Sequence, residues 1–112
     1  MQKNQAQVLG DKDIYEIAPD IKKYSLLDAG FVEGRNDHFK LQRPISGTSP
    51  YDARFLLKIS VSEGFSHLRM SITDKSGLHN INIYKAKDTK SEIDDYKFMM
   101  NFLEEKNILI KK

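Results

Sequence analysis

The 112-residue sequence has no cysteine and no tryptophan, and only three prolines. Without thiols there is no disulfide framework and no thiolate metal site, so a packed core must hold the fold. A chain of this length buries roughly two-thirds of its unfolded surface, enough for one domain, residues 1–112, without covalent staples. No apolar run approaches the ~20 residues of a bilayer-spanning helix. The opening MQKNQAQVLG is polar, unlike a secretory signal. These absences point to a soluble, cytoplasmic protein with no membrane association. An excess of one charge sign is also missing. Residues 1–50 carry seven basic and seven acidic side chains, and residues 51–112 carry eleven and nine. The pI near 8.8 thus reflects a surplus of two. Acids interrupt the nearest thing to a basic stripe, Lys85, Lys87 and Lys90 with Lys111 and Lys112. That argues against nucleic-acid binding, which concentrates Lys and Arg on one face.

What is present is hydrophobic patterning. In the first half, Gln7–Leu9 could add an edge strand. Ile14–Ile17 reads as a strand stopped by Pro19. Ile21, Tyr24 and Leu27 recur at three-residue spacing between Pro19, suited to a first helical position, and Gly30, suited to a stop, which predicts a helical turn or two across Pro19–Ala29. Phe31–Glu33 and His38–Arg43 flank the turn-rich Gly34-Arg35-Asn36-Asp37 and predict a hairpin. Pro44 should end that strand, leaving Pro44–Ala53 as an irregular connector. Its Ile45-Ser46-Gly47-Thr48-Ser49 run lacks the spacing of a phosphate-binding loop.

The second half alternates more strictly. Phe55, Leu57, Ile59 and Val61 share one face, as do Leu68, Met70 and Ile72, and the third stretch, Leu78–Lys85, has Ile81 and Ile83 in phase. Loops at Glu63–Ser66 and Asp74–Gly77 would join the three as a meander. In that register Ile59 faces Met70, Met70 faces Ile81, and Val61, Leu68 and Ile83 make the next row. A one-residue slip would turn every apolar side chain outward. Thr89-Lys90-Ser91-Glu92 reads as a capping box opening a helix. Ile93, Tyr96, Met99, Met100 and Leu103 form one broad stripe of that helix, and Phe98 with Phe102 forms a second on the far side. A helix on a single sheet needs only one stripe. The second asks for cover from the N-terminal hairpin or a partner chain, and so allows a homodimer. Ile108–Ile110 would follow as a short strand. The expected architecture is α+β, with two antiparallel sheets, one the three-stranded meander of residues 54–85, packed around one long C-terminal helix, residues 90–106.

The polar positions of the same register form three rows: Ser60–Arg69–Asn82, Lys58–Ser71–Asn80 and Ser62–His67–Tyr84. Arg69 and Lys58 could receive a carboxylate or phosphate, and the amides of Asn80 and Asn82 could orient it. This makes Lys58, Ser60, Arg69, Ser71, Asn80, Asn82 and Tyr84 the candidate binding residues for a small anionic metabolite such as an amino acid. The bland alternative is the solvated face of a one-sided sheet. The three histidines sit on three different expected strands, with no i, i+4 pair and no H-E-x-x-H motif. They fit surface or structural roles, and the sequence offers no metal site, no cofactor and no catalytic residue. Asp94-Asp95 and Glu104-Glu105 read as solvated parts of the helix.

Two resemblances add to this. The order IYEIAPDIKKYSLLDAGF, a hairpin ending in QRPI, then FLLKISV and GLHNINIYKA resembles an uncharacterised domain-of-unknown-function family of low-GC Gram-positive bacteria, labelled "putative amino acid metabolism". The resemblance covers nearly the whole chain and implies two sheets around a single helix, which counts against a helix near Pro19. Its label implies a role in amino-acid metabolism. Locally, Ser66-His67-Leu68-Arg69-Met70-Ser71 is similar to the self-cleaving segment of prokaryotic S-adenosylmethionine decarboxylases. There a Glu-Ser bond breaks and the serine becomes a pyruvoyl group. Ser66 matches that serine, but Phe65 stands in place of the glutamate. Ser71 and Ala86 occupy the positions of the histidine and cysteine that supply protons. This resemblance implies shared architecture or a catalytically degenerate relative.

Overall fold

The computed structural model describes residues 1–45 and 53–112. The connector expected across Pro44–Ala53, including Ser46–Ser49, falls mostly outside the described residues. In chain order the elements are β1 (Gln5–Ala6), β2 (Tyr15–Ile17), α1 (Lys23–Asp28), β3 (Val32–Glu33), β4 (Phe39–Ile45), β5 (Phe55–Ser62), β6 (His67–Asp74), α2 (Lys90–Glu105) and β7 (Leu109–Lys111). They form two antiparallel sheets, ordered β1-β2-β7 and β3-β4-β5-β6, with one long helix near the C-terminus. The fold is α+β, as the patterning indicates.

The alternation in β5 and β6 sets the larger sheet. Its register pairs Ile59 with Met70, Val61 with Leu68, Ser60 with Arg69 and Lys58 with Ser71, as expected. Period-two side chains then sort the sheet into two faces. Phe39 and Leu41 of β4 join Leu57, Ile59, Val61, Leu68 and Ile72 in a core that also takes Tyr96, Met100 and Leu103 from α2. Each such side chain contributes about 1.5–3 kcal/mol on burial.

Pro44 does not end β4, which continues to Ile45 with Pro44 opposite Leu56. Gly34 N–H donates to the His38 carbonyl, so the even-numbered residues of β4 turn their polar backbone groups toward β3. Strand β3 pairs only with Phe39 and Lys40. The N–H that Pro44 lacks therefore falls where no neighbouring strand needs it.

The third strand of the expected meander does not form. Only an isolated bridge, Thr73 to Asn80, extends the sheet past β6. Ile81 N–H reaches the Ile72 carbonyl at 2.8 Å, two residues away from the expected Met70 alignment. The chain then leaves the sheet because Asn82 turns it. The Asn82 side-chain oxygen accepts the Tyr84 N–H, and its carbonyl accepts the N–H groups of Lys85 and Ala86. Such local side-chain bonds compete with a strand ladder. The N-terminal segment occupies the other end of this edge, where Leu68 N–H donates to the Lys3 carbonyl. Likewise the N-terminal strand lies at Gln5–Ala6 and not at Gln7–Leu9.

A short helix near Pro19 is present as α1. It closes with Phe31 N–H on the Leu26 carbonyl and Gly30 N–H on Leu27, a Schellman end. Helix α2 ends the same way, with Ile108 N–H on Leu103 and Asn107 N–H on Glu104, and feeds directly into β7. Its start is at the expected residue, but the reciprocal capping box is not made. The Thr89 hydroxyl donates instead to the carbonyls of Ile83 and Ala86. Glu92 accepts two bonds from the Arg54 guanidinium, at 3.1 and 2.7 Å. Burial pushes the Glu92 carboxyl up, but the Arg54 bonds outweigh this and hold it below its ordinary value. On the far stripe, Phe102 is partly buried under the Lys106 ammonium while Phe98 is 72% exposed. The N-terminal hairpin does not cover Phe98.

Candidate functional site

The outward positions of the large sheet form polar rows across strands. Lys40, Ser60 and Arg69 make one row; Gln42, Lys58 and Ser71 make the next. Ser62 pairs with His67, and His38, the residue before β4, continues that row on the opposite side. Consecutive rows are ~7 Å apart along the strands, and Lys40 and Arg69 stand two strand spacings, ~10 Å, apart. Together with Asn36, Gln7 and Asn80 these residues line a half-open concavity of about 1100 Å³. Its floor is the sheet. Asn36 and His38 at the β3–β4 turn and Glu63 in the turn between β5 and β6 border it, and Asn80 is the lining residue from the loop after β6.

That loop is built around Asp74. The Ser76 hydroxyl donates to Asp74 Oδ1 at 2.6 Å, Gly77 N–H donates to the same oxygen at 3.1 Å, and His79 Nδ1 lies 2.8 Å from Oδ2. These partners, the Ser76 hydroxyl foremost, lower the Asp74 pKa to about 2. The turn directs the Gly77 carbonyl at Lys58 Nζ, 2.8 Å away. Gly77 has φ +81°, and a Cβ there would come within 3.1 Å of the Lys58 ammonium, so glycine suits both the turn and the approach. Lys58 is therefore held in place by the fold. Lys40 and Arg69, both exposed, make no hydrogen bond or ion pair among the described residues.

The face is electrostatically one-sided. Its described positions on β4, β5 and β6 include Lys40, Lys58 and Arg69 and no carboxylate. One acid, Glu63 in the turn before β6, lines the concavity and acts electrostatically on Arg69. Its carboxylate accepts the Lys3 ammonium at 2.6 Å and lies 3.8 Å from His67 Nδ1. The Lys3 hydrogen bond holds the Glu63 carboxyl below its ordinary value. In the row between Ser62 and the β3 turn, His38 buries its Nε2 without a hydrogen-bond partner among the described residues.

Of the residues singled out from sequence, Lys58, Ser60, Arg69, Ser71 and Asn80 come together here. Asn82 and Tyr84 do not line this concavity, because the strand that would have carried them is absent. Asn82 lies against Gly10, whose φ is +83° and where a Cβ would overlap the Asn82 amide. Tyr84 belongs to a buried cluster around Asp11. There the Tyr96 hydroxyl donates to Asp11 Oδ2 at 2.8 Å, and Asp13 N–H donates to Oδ1 at 3.1 Å. Burial and the adjoining Asp11 carboxylate push the Tyr84 phenol up to about 12, and raise those of Tyr15 and Tyr96 as well. Lys40, Gln42 and His38 do not stand out in the sequence, because nothing local shows that the hairpin strand His38–Arg43 pairs with β5. Their alternation with Phe39 and Leu41 was the available signal. Ser66 lies outside the concavity, its hydroxyl donating to the Glu63 carbonyl at 2.6 Å. Among the described residues no group of three or more His, Asp or Glu side chains is placed to hold a metal, and no helix is long and apolar enough to cross a membrane.

Comparison with known proteins gives a consistent picture. The model of the DUF1831 family, described as "Putative amino acid metabolism", matches residues 1–110. The crystal structure of a DUF1831 family protein from Lactobacillus plantarum is similar with a TM-score of 0.89 at 30% sequence identity, over 99% of this chain and 97% of that one. No curated protein matches the sequence.

Proposed function

Because the chain belongs to the DUF1831 family, described as "Putative amino acid metabolism", we propose that it binds a small anionic metabolite of amino-acid chemistry on the outer face of the four-stranded sheet. The observation that carries this reading is the gathering of Lys40, Lys58 and Arg69 on a face with no carboxylate among its described positions. Some charges elsewhere are paired, as in Arg54–Glu92 and Lys23–Glu33. Like charges gathered on one concave surface raise its potential and draw in a counter-anion. Arg69 supplies a planar fork that matches a carboxylate, Lys40 adds a mobile point charge, and Lys58 is a fixed one. The hydroxyls of Ser60 and Ser71 and the amides of Gln42 and Asn80 set the orientation. Because the cations are partly solvated, affinity falls as salt is added.

A thermal-shift screen of amino acids and related acids tests this. A ligand present at tenfold its Kd stabilises the folded chain by about 1.4 kcal/mol, which raises Tm by several degrees. Arg69→Ala should abolish the rise. A flat response across the panel would refute the reading. The exposed Phe98 ring favours a second reading, a homodimer through the outer side of α2. Light scattering at high micromolar concentration tests it, and a monomeric mass removes it.

A further inference from the structure

We infer that the ligand is an anion without an ammonium group, a 2-oxo acid or a comparable nitrogen-free dicarboxylate, and not the free amino acid. This rests on the proposed binding role of the outer sheet face and narrows its substrate class. A free α-amino acid carries an ammonium beside its carboxylate, and a site that takes it must offer that ammonium an acceptor, ordinarily a carboxylate. The outward positions of β4, β5 and β6 offer cations and neutral groups, and one carboxylate, Glu63 in the turn before β6, lines the concavity among the described residues. Lys40, Lys58 and Arg69 are donors without acceptor capacity, and Lys58 is fixed by donating to the Gly77 carbonyl. Glu63 is engaged by Lys3 at 2.6 Å. An ammonium drawn in by its own carboxylate would lie among like charges, which a selective site uses to reject the wrong ligand.

An oxo group in place of the ammonium reverses this. It is an acceptor that brings no positive charge among the cations, so the Lys40 ammonium can donate to it together with the Ser60 and Ser71 hydroxyls and the Gln42 and Asn80 amides, which both donate and accept. The two-row arrangement also suits two negative ends. Arg69 and Lys40 share one row, and Lys58 lies in the next, ~7 Å along the strands. A four- or five-carbon diacid spans that separation. Selectivity here comes from charge, so it does not require a deep pocket.

Calorimetric titration of the full chain with matched pairs decides the matter. 2-Oxoglutarate should bind at least tenfold more tightly than glutamate, about 1.4 kcal/mol, and succinate should bind measurably. Arg69→Ala should weaken 2-oxoglutarate at least tenfold. Gln42→Glu places a carboxylate on an exposed position beside Lys58 and should narrow the preference or invert it, which a purely structural role for Gln42 would not do. Glutamate binding as tightly as 2-oxoglutarate overturns the inference and leaves the face as a binding site. Binding of inorganic phosphate with no binding of either carboxylate also overturns it. If 2-oxoglutarate, succinate, glutamate and phosphate all give no heat, the underlying reading of the face has failed.

Discussion

Two polar regions of this molecule use their groups in opposite ways. Around Asp11, at the meeting of the N-terminal loop, α2 and the segment before it, the buried carboxylate takes the Tyr96 hydroxyl and the Asp13 N–H. On the outer face of the large sheet, Lys40 and Arg69 stand exposed without an ion-pair partner among the described residues. The first region joins chain segments far apart in sequence and engages the Asp11 carboxylate in doing so, while the buried Tyr84 hydroxyl beside it has no hydrogen-bond partner among the described residues. The second stands on a scaffold already held by the apolar face beneath it, so its groups remain available. Polar groups that satisfy one another mark architecture. Cations gathered without partners on a rigid sheet mark a place for something to bind.

That contrast can be broken by mutation, beginning with the apolar support. Leu57→Ala removes a fully buried side chain from beneath the polar rows and should cost about 2–5 kcal/mol, read as a lower urea midpoint. Next is the Asp11 cluster. Tyr96→Phe removes one bond to a buried carboxylate and should cost about 1.5–3 kcal/mol while leaving affinity for the anion unchanged. A change in affinity with no loss of stability would reverse the roles assigned to the two regions.

An acid titration separates the turn after β6 from the rest. Asp74, at about 2, lies below its ordinary value of 3.8, and Glu63 and Glu92 are also lowered. A depressed carboxyl contributes stability above its unfolded pKa and loses it as pH falls through the folded value. Urea midpoints should therefore drop between about pH 4 and pH 2. Asp74→Asn should flatten part of that drop, and an unchanged slope would show that the turn contributes nothing. Smallest of all should be the effect of Arg69→Ala on stability, within ~0.5 kcal/mol, set against an at least tenfold loss of affinity. A large loss of stability would make Arg69 a structural residue.

Much of this was legible in the sequence, for local reasons. The strict alternation of Phe55–Ser62 and His67–Asp74 admits one register that buries every apolar residue, and the observed pairs follow it. Helix α2 announced itself by its stripe. The segment Leu78–Lys85 showed the same alternation and misled, because Asn82 binds its own neighbours and Lys3 takes part of the β6 edge. The first of these was readable as an Asn in a strand pattern. The second depends on where a segment more than sixty residues away is placed, and no local pattern encodes that. Half of the site depends on the pairing of β4 with β5, which brings Lys40 into the row of Ser60 and Arg69.

The most direct measurement is an amide chemical-shift titration of the isotope-labelled full chain with 2-oxoglutarate. The account predicts saturable shifts at Lys40, Lys58, Ser60, Arg69 and Ser71, with the amides of Asp11, Asp13 and Tyr96 unmoved. Saturable shifts confined to the Asp11 cluster or to the outer side of α2, with the sheet face silent, would contradict it.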